Sequence, residues 1–219
     1  MAVRKYDLGI PVGSLSFFEE AFDEAFSNLL ISELFMFGGK LTGLYFLVAA
    51  IWASFLFGAV TGYDLLRFGI LPRDWDQVEG VLLWPFLHAN LTHLTSNTVT
   101  LVVFGAIISL RGSSREFLTL SFFITLYAGL GVWLMGRDAL HVGASGLVFG
   151  YFGYIMTRGI YDGRISSIVI STAVMIFFGG MIWGIMPTDE RVSWEGHLFG
   201  FLAGVVLAVR YKPRRRRRS

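Results

Sequence analysis

Three polar clusters interrupt an otherwise apolar chain. His88-Ala89-Asn90-Leu91-Thr92-His93-Leu94-Thr95-Ser96-Asn97 opens one apolar run, His141-Val142-Gly143-Ala144-Ser145-Gly146 another, and Glu195-Gly196-His197-Leu198-Phe199-Gly200 a third. A serine hydroxyl is a weak nucleophile until a neighbouring base takes its proton, and His197 is the residue type that does so. Ser145, held between glycines at a loop-to-helix junction, stands where backbone approaches a substrate closely and a helix start leaves free N–H groups. Acyl transfer through such a pair puts negative charge on a tetrahedral oxyanion. The Ser145 N–H and the side chains of His93 and Asn97, which are four residues apart and share a helix face, are the donors on offer. No acid has an evident place as a third member. Asp189, Glu190 and Glu195 fall on a loop or helix end, so the spacing reads as a Ser-His dyad, with Glu195 as the one acid to weigh as an orienter.

Each cluster also has a plainer reading. His93 and Asn97 suit an interhelical hydrogen-bond pair, and the small residues Gly146, Gly150 and Gly153 suit a close helix contact. Gly200 and Gly204 form a second small-residue face one turn from His197, with Phe201 expected to face away from it. Depth argues for chemistry. Ser145 precedes Arg158 by 13 residues, His197 precedes Arg210 by 13, and Asn97 precedes Arg111 by 14. At ~1.5 Å per residue all three lie ~20 Å from one basic boundary. All four histidines fall on the opposite side of the bundle from that boundary.

The elements that must position these residues are membrane helices. Of 219 residues, 54% are hydrophobic and only 16% charged, with a mean hydropathy of +0.62. That is more apolar surface than one soluble core of this length hides, which excludes a soluble globular enzyme. The absence of cysteine excludes disulfides, a thiolate nucleophile and Cys-ligated metal. Six apolar runs are expected to span the bilayer: 41–60, 91–110, 116–135, 145–157, 165–186 and 195–209, the fourth and sixth short and Gly-rich. The expected class is thus an all-α polytopic membrane protein, divided into an N-terminal segment 1–40, a membrane domain 41–210 and a basic tail 211–219.

Orientation follows from the loops. Placing both termini and the turns near 111–115 and 158–164 on one side collects 14 of the 18 Lys and Arg residues there. The positive-inside rule makes that side cytoplasmic and the segment 61–87 extracytoplasmic. Phe18, Phe22, Phe26 and Leu29 recur at helical spacing opposite Glu19, Glu20, Asp23 and Glu24, which predicts an amphipathic helix on the membrane or the bundle. Arg214 to Arg218 read as a topology anchor beside anionic lipid. The basic pI therefore implies no nucleic-acid partner.

Taken together, His88-x4-His93-x3-Asn97, Gly143-x-Ser145-Gly146 and His197-x2-Gly200-x3-Gly204 resemble the motifs of the rhomboid intramembrane serine proteases. The resemblance implies a six-transmembrane-helix bundle with Ser145 as nucleophile, His197 as base, and Ser145 N–H, His93 and Asn97 as oxyanion hole. It implies His88 as a hydrogen-bonding member of the outer rim and Phe149 as the aromatic beside the histidine, where many rhomboids carry Tyr. It further implies membrane-anchored protein substrates, no cofactor or metal, a site opening to the extracytoplasmic side of a cell membrane, and the fifth span with the 187–194 loop as gate and cap. One departure is clear: the usual Trp-Arg pair before the second span corresponds to Glu79-Gly80.

Two other classes fit the same spans. One is a rhomboid-like protein that binds transmembrane segments without cutting them, which retention of Ser145 and His197 argues against. The other is a transporter, for which intramembrane carboxylate pairs and an inverted repeat are missing from the sequence.

Overall fold

The computed structural model describes residues 38–187 and 192–210. The expected amphipathic helix around Phe18–Leu29, the basic tail and residues 188–191 of the 187–194 loop lie outside the described residues. The chain divides after Gly39, and the second unit is the one described below.

Among the described residues the structure is helical, with no strand and one isolated antiparallel bridge, Ile70 to His141. Four helices are long and apolar enough to cross a membrane: α1 (Gly38–Thr61), α3 (Leu91–Arg111), α4 (Ser114–Met135) and the stretch Ile165–Ile185. Between α1 and α3 lie short 3-10 turns and the one-turn helix α2 (Gly80–Leu83). The fifth expected run is not one continuous α-helix. α6 (Ile165–Phe178) continues as a 3-10 segment over Gly179–Ile185, because the Gly179-Gly180 pair carries little helix propensity. α5 (Ser145–Tyr161) and α7 (Trp194–Arg210) have 17 residues each.

Sequence-local chemistry sets the helix starts. The Asn90 side chain accepts from the His93 N–H at 2.9 Å and starts α3. Ser113 and Glu116 form a reciprocal capping box on α4. α5 differs: Ala144 at its N-cap makes no side-chain hydrogen bond, so the N–H groups of its first turn face no cap.

The most extensive packing is between α5 and α7. A Cβ at Gly200 would overlap the carbonyl oxygen of Gly146, and one at Gly204 that of Gly150. Both contacts step by four residues in the same direction, so the two helices run parallel with their N-termini at one end. Phe201 does not face away. It lies against Gly153, with its ring 6.1 Å from that of Phe152. With glycines at the crossing the backbones approach so closely that the flanking side chain is drawn onto the neighbouring helix.

A main apolar core joins α1, α3, α4 and α5 through Leu44, Leu94, Phe104, Ile124, Leu147 and Phe152. A smaller cluster of Ile70, Val81, Trp84, Val132 and Trp133 fixes the long loop and α2 onto α4. Here Gly80 has a spatial reason. Any side chain at 80 would collide with the Gly69 backbone, so the arginine of a Trp-Arg pair has no room in this loop.

Candidate active site

Three helix starts converge at one end of the bundle. Ser145 is the first residue of α5, His197 lies in the first turn of α7, and His93 and Asn97 lie in the first two turns of α3. Ser145 Oγ and His197 Nε2 are 2.9 Å apart. On its other side the imidazole Nδ1 donates to the Gly184 carbonyl oxygen at 2.8 Å. A carbonyl only accepts, so the proton sits on Nδ1 and Nε2 is left as the acceptor for the serine hydroxyl. Phe149, one turn along α5, stacks on the imidazole with centroids 4.1 Å apart and planes 10° from parallel.

Glycines allow these approaches. Gly143 adopts φ +115°, a region open to glycine, and a Cβ there would lie 2.5 Å from the His93 ring and 3.5 Å from Asn97 Nδ2. The loop carrying Ser145 is thereby held against both side chains. Its position is also set by the Gly143 N–H, which donates to Trp84 O at 2.9 Å. The Trp84 ring fills the space beside Gly146, where a Cβ would overlap it.

His88 is buried, and its Nε2 accepts from Asn97 Nδ2 at 3.1 Å and, at a longer 3.4 Å, from the Ala144 N–H. An amide has two N–H donors, so Asn97 keeps one for another acceptor while His88 fixes its direction. Burial, aided by His93 nearby, pushes the His88 pKa down to about 4 against a weaker opposing backbone hydrogen bond, so the ring is neutral at pH 7.

Glu195 is committed elsewhere. Its carboxylate is buried, pairs with Arg137 at 3.2 Å and accepts from the Arg137 N–H, while the Arg137 guanidinium also donates to Val192 O. The group that orients His197 is the Gly184 carbonyl instead. Beside this pair, His141 Nδ1 meets Ser193 Oγ at 2.6 Å, which tethers the start of α7 to the loop before α5. Gly184, Trp84, Arg137 and Ser193 escaped the sequence reading. Backbone carbonyls carry no residue-type signal, and the ion pair spans 58 residues.

The rhomboid domain model matches residues 76–214, which covers α2 to α7 and every residue of this arrangement. The chain belongs to the rhomboid family. An uncharacterized protein of Mycobacterium tuberculosis is 38% identical over 170 residues, covering 74% of this rhomboid and 70% of the relative. YdcA of Bacillus subtilis, whose name carries the words rhomboid protease, is 30% identical over 173 residues, 73% of this chain and 77% of that one. A chloroplastic rhomboid-like protein of Arabidopsis thaliana is 33% identical over 137 residues, 56% of this chain and 48% of its own. As a rhomboid the chain is a multi-pass membrane protein.

Proposed function

We propose that this rhomboid is an intramembrane serine endopeptidase that cuts membrane-anchored proteins through an acyl-enzyme. The observation that carries the reading is the 2.9 Å contact of Ser145 Oγ with a His197 Nε2 left unprotonated by the Gly184 carbonyl. His197 takes the hydroxyl proton as Ser145 attacks the scissile carbonyl carbon. The Nδ1–H to Gly184 bond persists and stabilises the imidazolium. Negative charge on the substrate oxygen is met by the Ser145 N–H at the uncapped start of α5 and by His93 and the spare N–H of Asn97. Collapse of the intermediate passes the His197 proton to the departing amine and leaves the acyl group on Ser145. Water then adds to the acyl carbon as His197 takes its proton, and the ester bond to Ser145 Oγ breaks as that proton passes to the serine oxygen and the new carboxyl terminus leaves.

In this reading α1, α3, α4, α5, α6 with its 3-10 extension, and α7 make six crossings, with both termini cytoplasmic and Ser145 in the extracytoplasmic half. At ~1.5 Å per residue α5 and α7 are ~25 Å long. Their burial between other helices relieves them of matching the lipid thickness alone.

Cleavage of a reporter carrying one transmembrane segment, reconstituted in liposomes, tests the proposal. Wild type is expected to yield two fragments, with none from Ser145→Ala or His197→Ala. Equal cleavage by Ser145→Ala contradicts the proposal. Capture of the segment without cleavage by the wild type would favour a binding role instead.

A further inference from the structure

We propose that a cavity at the arginine-rich end of the bundle binds one anionic glycerophospholipid, phosphate at the rim and acyl chain along the wall. The cavity, of about 710 Å³, lies among the far ends of α3, α5 and α7 and the starts of α4 and α6. Along α5 it is at the opposite end from Ser145, so it is no part of the site above.

Its lining has two characters. Apolar side chains such as Leu120 and Phe123 line it together with five arginines and two acids, a net charge of +3. One acid is already consumed. Asp162, its side chain 3% exposed, pairs with both Arg111 and Arg158, and Ser167 donates to it at 2.7 Å. Arg115, Arg164 and Arg210 are exposed, and their guanidinium groups make no ion pair or hydrogen bond among the described residues. Three unpaired guanidiniums above an apolar wall match an amphiphile with an anionic head better than a free ion, which gains nothing from the wall. Large apolar side chains on the surface at this level, Leu118, Phe122, Ile160 and Ile165, are exposed. A lipid can therefore enter sideways from the leaflet.

The test is native mass spectrometry of the delipidated full chain with dioleoyl phosphatidylglycerol or dioleoyl phosphatidylcholine. One phosphatidylglycerol per chain is expected to be retained, with phosphatidylcholine at least ~10-fold weaker. At about 1 kcal/mol per arginine, Arg115→Gln, Arg164→Gln and Arg210→Gln together should weaken phosphatidylglycerol on the order of 10²-fold. Leu120→Trp fills the wall, leaves every arginine in place, and should also lose the lipid. Glutamines at Arg214 to Arg218 should change nothing, and excess inorganic phosphate should not displace the lipid. Should the triple variant fail to fold, each single arginine variant is expected to show a loss of ~5-fold. Equal retention of the two lipids, or wild-type retention by the cavity variants, overturns the proposal. So does displacement by phosphate, which would make this an anion site, or loss only on changing Arg214 to Arg218.

Discussion

The His197 imidazole is held from three sides: by Ser145 Oγ at 2.9 Å, by the Gly184 carbonyl at 2.8 Å and by the Phe149 ring at 4.1 Å between centroids. A Cβ at Gly184 would lie 2.8 Å from Phe149 Cζ and 3.3 Å from His197 Nδ1. Gly184→Ala is therefore expected to move the carbonyl and cut reporter cleavage by ~10²-fold with little change in melting temperature. Wild-type cleavage would mean that the Gly184 carbonyl does not orient His197. Asn97→Ala, one donor among three, should lose on the order of 10² to 10³ in rate, whereas Ser145→Ala and His197→Ala are each as damaging as the pair together. Acid acts through His88. Because its folded pKa of about 4 lies below the ordinary 6.5, the fold is fully favoured above pH 6.5. Stability then falls between pH 6.5 and 4, by on the order of 1 kcal/mol per unit at most. His88→Gln should flatten part of the drop in melting temperature between pH 7.5 and 5, and His141, also lowered chiefly by burial, should leave a remainder. An unchanged drop would take His88 out of the titration. At this scale the pairing of Ser145 with His197 is legible in the sequence, because hydroxyl and imidazole are residue types. The orienting carbonyl is not, because any residue supplies one.

The parallel contact of α5 with α7 sets the distance between Ser145 and His197. Gly200 and Gly204 back directly onto the carbonyls of Gly146 and Gly150, so the only way to seat a larger side chain is to part the helices. Gly200→Val is expected to cost ~1 to 3 kcal/mol in packing and to lower reactivity at Ser145. Leu202→Val is the matched control, since Leu202 is 45% exposed on the outer face. Phe201 cannot serve, because it packs on Gly153 and Phe152. If Gly200→Val melts and reacts like the wild type, this crossing does not fix the geometry. Small-residue spacing made the contact legible, while the side of Phe201 was not: a helical wheel fixes direction but not how near the neighbouring backbone comes. The Gly179-Gly180 pair marks the break in the fifth apolar run, but hydropathy alone runs across it to Ile185 and does not show it.

Across the described residues, the proposed catalytic groups Ser145 and His197 lie at one end of the helices and the arginines Arg115, Arg164 and Arg210 at the other. Length and composition alone made the membrane class legible, because 54% hydrophobic residues have few places to go in water. The loop that buries Trp84 against Gly146 was not legible, since its 3-10 turns and α2 follow no hydrophobic period. The absence of native cysteine makes the orientation directly testable. In intact cells Ser114→Cys is expected to react only with membrane-permeant thiol reagents, and Val78→Cys with impermeant reagents added outside. The reverse pattern would invert the assigned topology.

If Ser145 is the one hydroxyl activated by His197, a site-mapped fluorophosphonate label reads that activation out directly. In mild detergent the wild type is expected to carry one adduct, on Ser145 and not on Ser193 beside His141. His197→Ala should lose the adduct while melting as the wild type does. A folded wild type that takes no label, an adduct mapped to another serine, or full labelling of His197→Ala would contradict activation of Ser145 by His197.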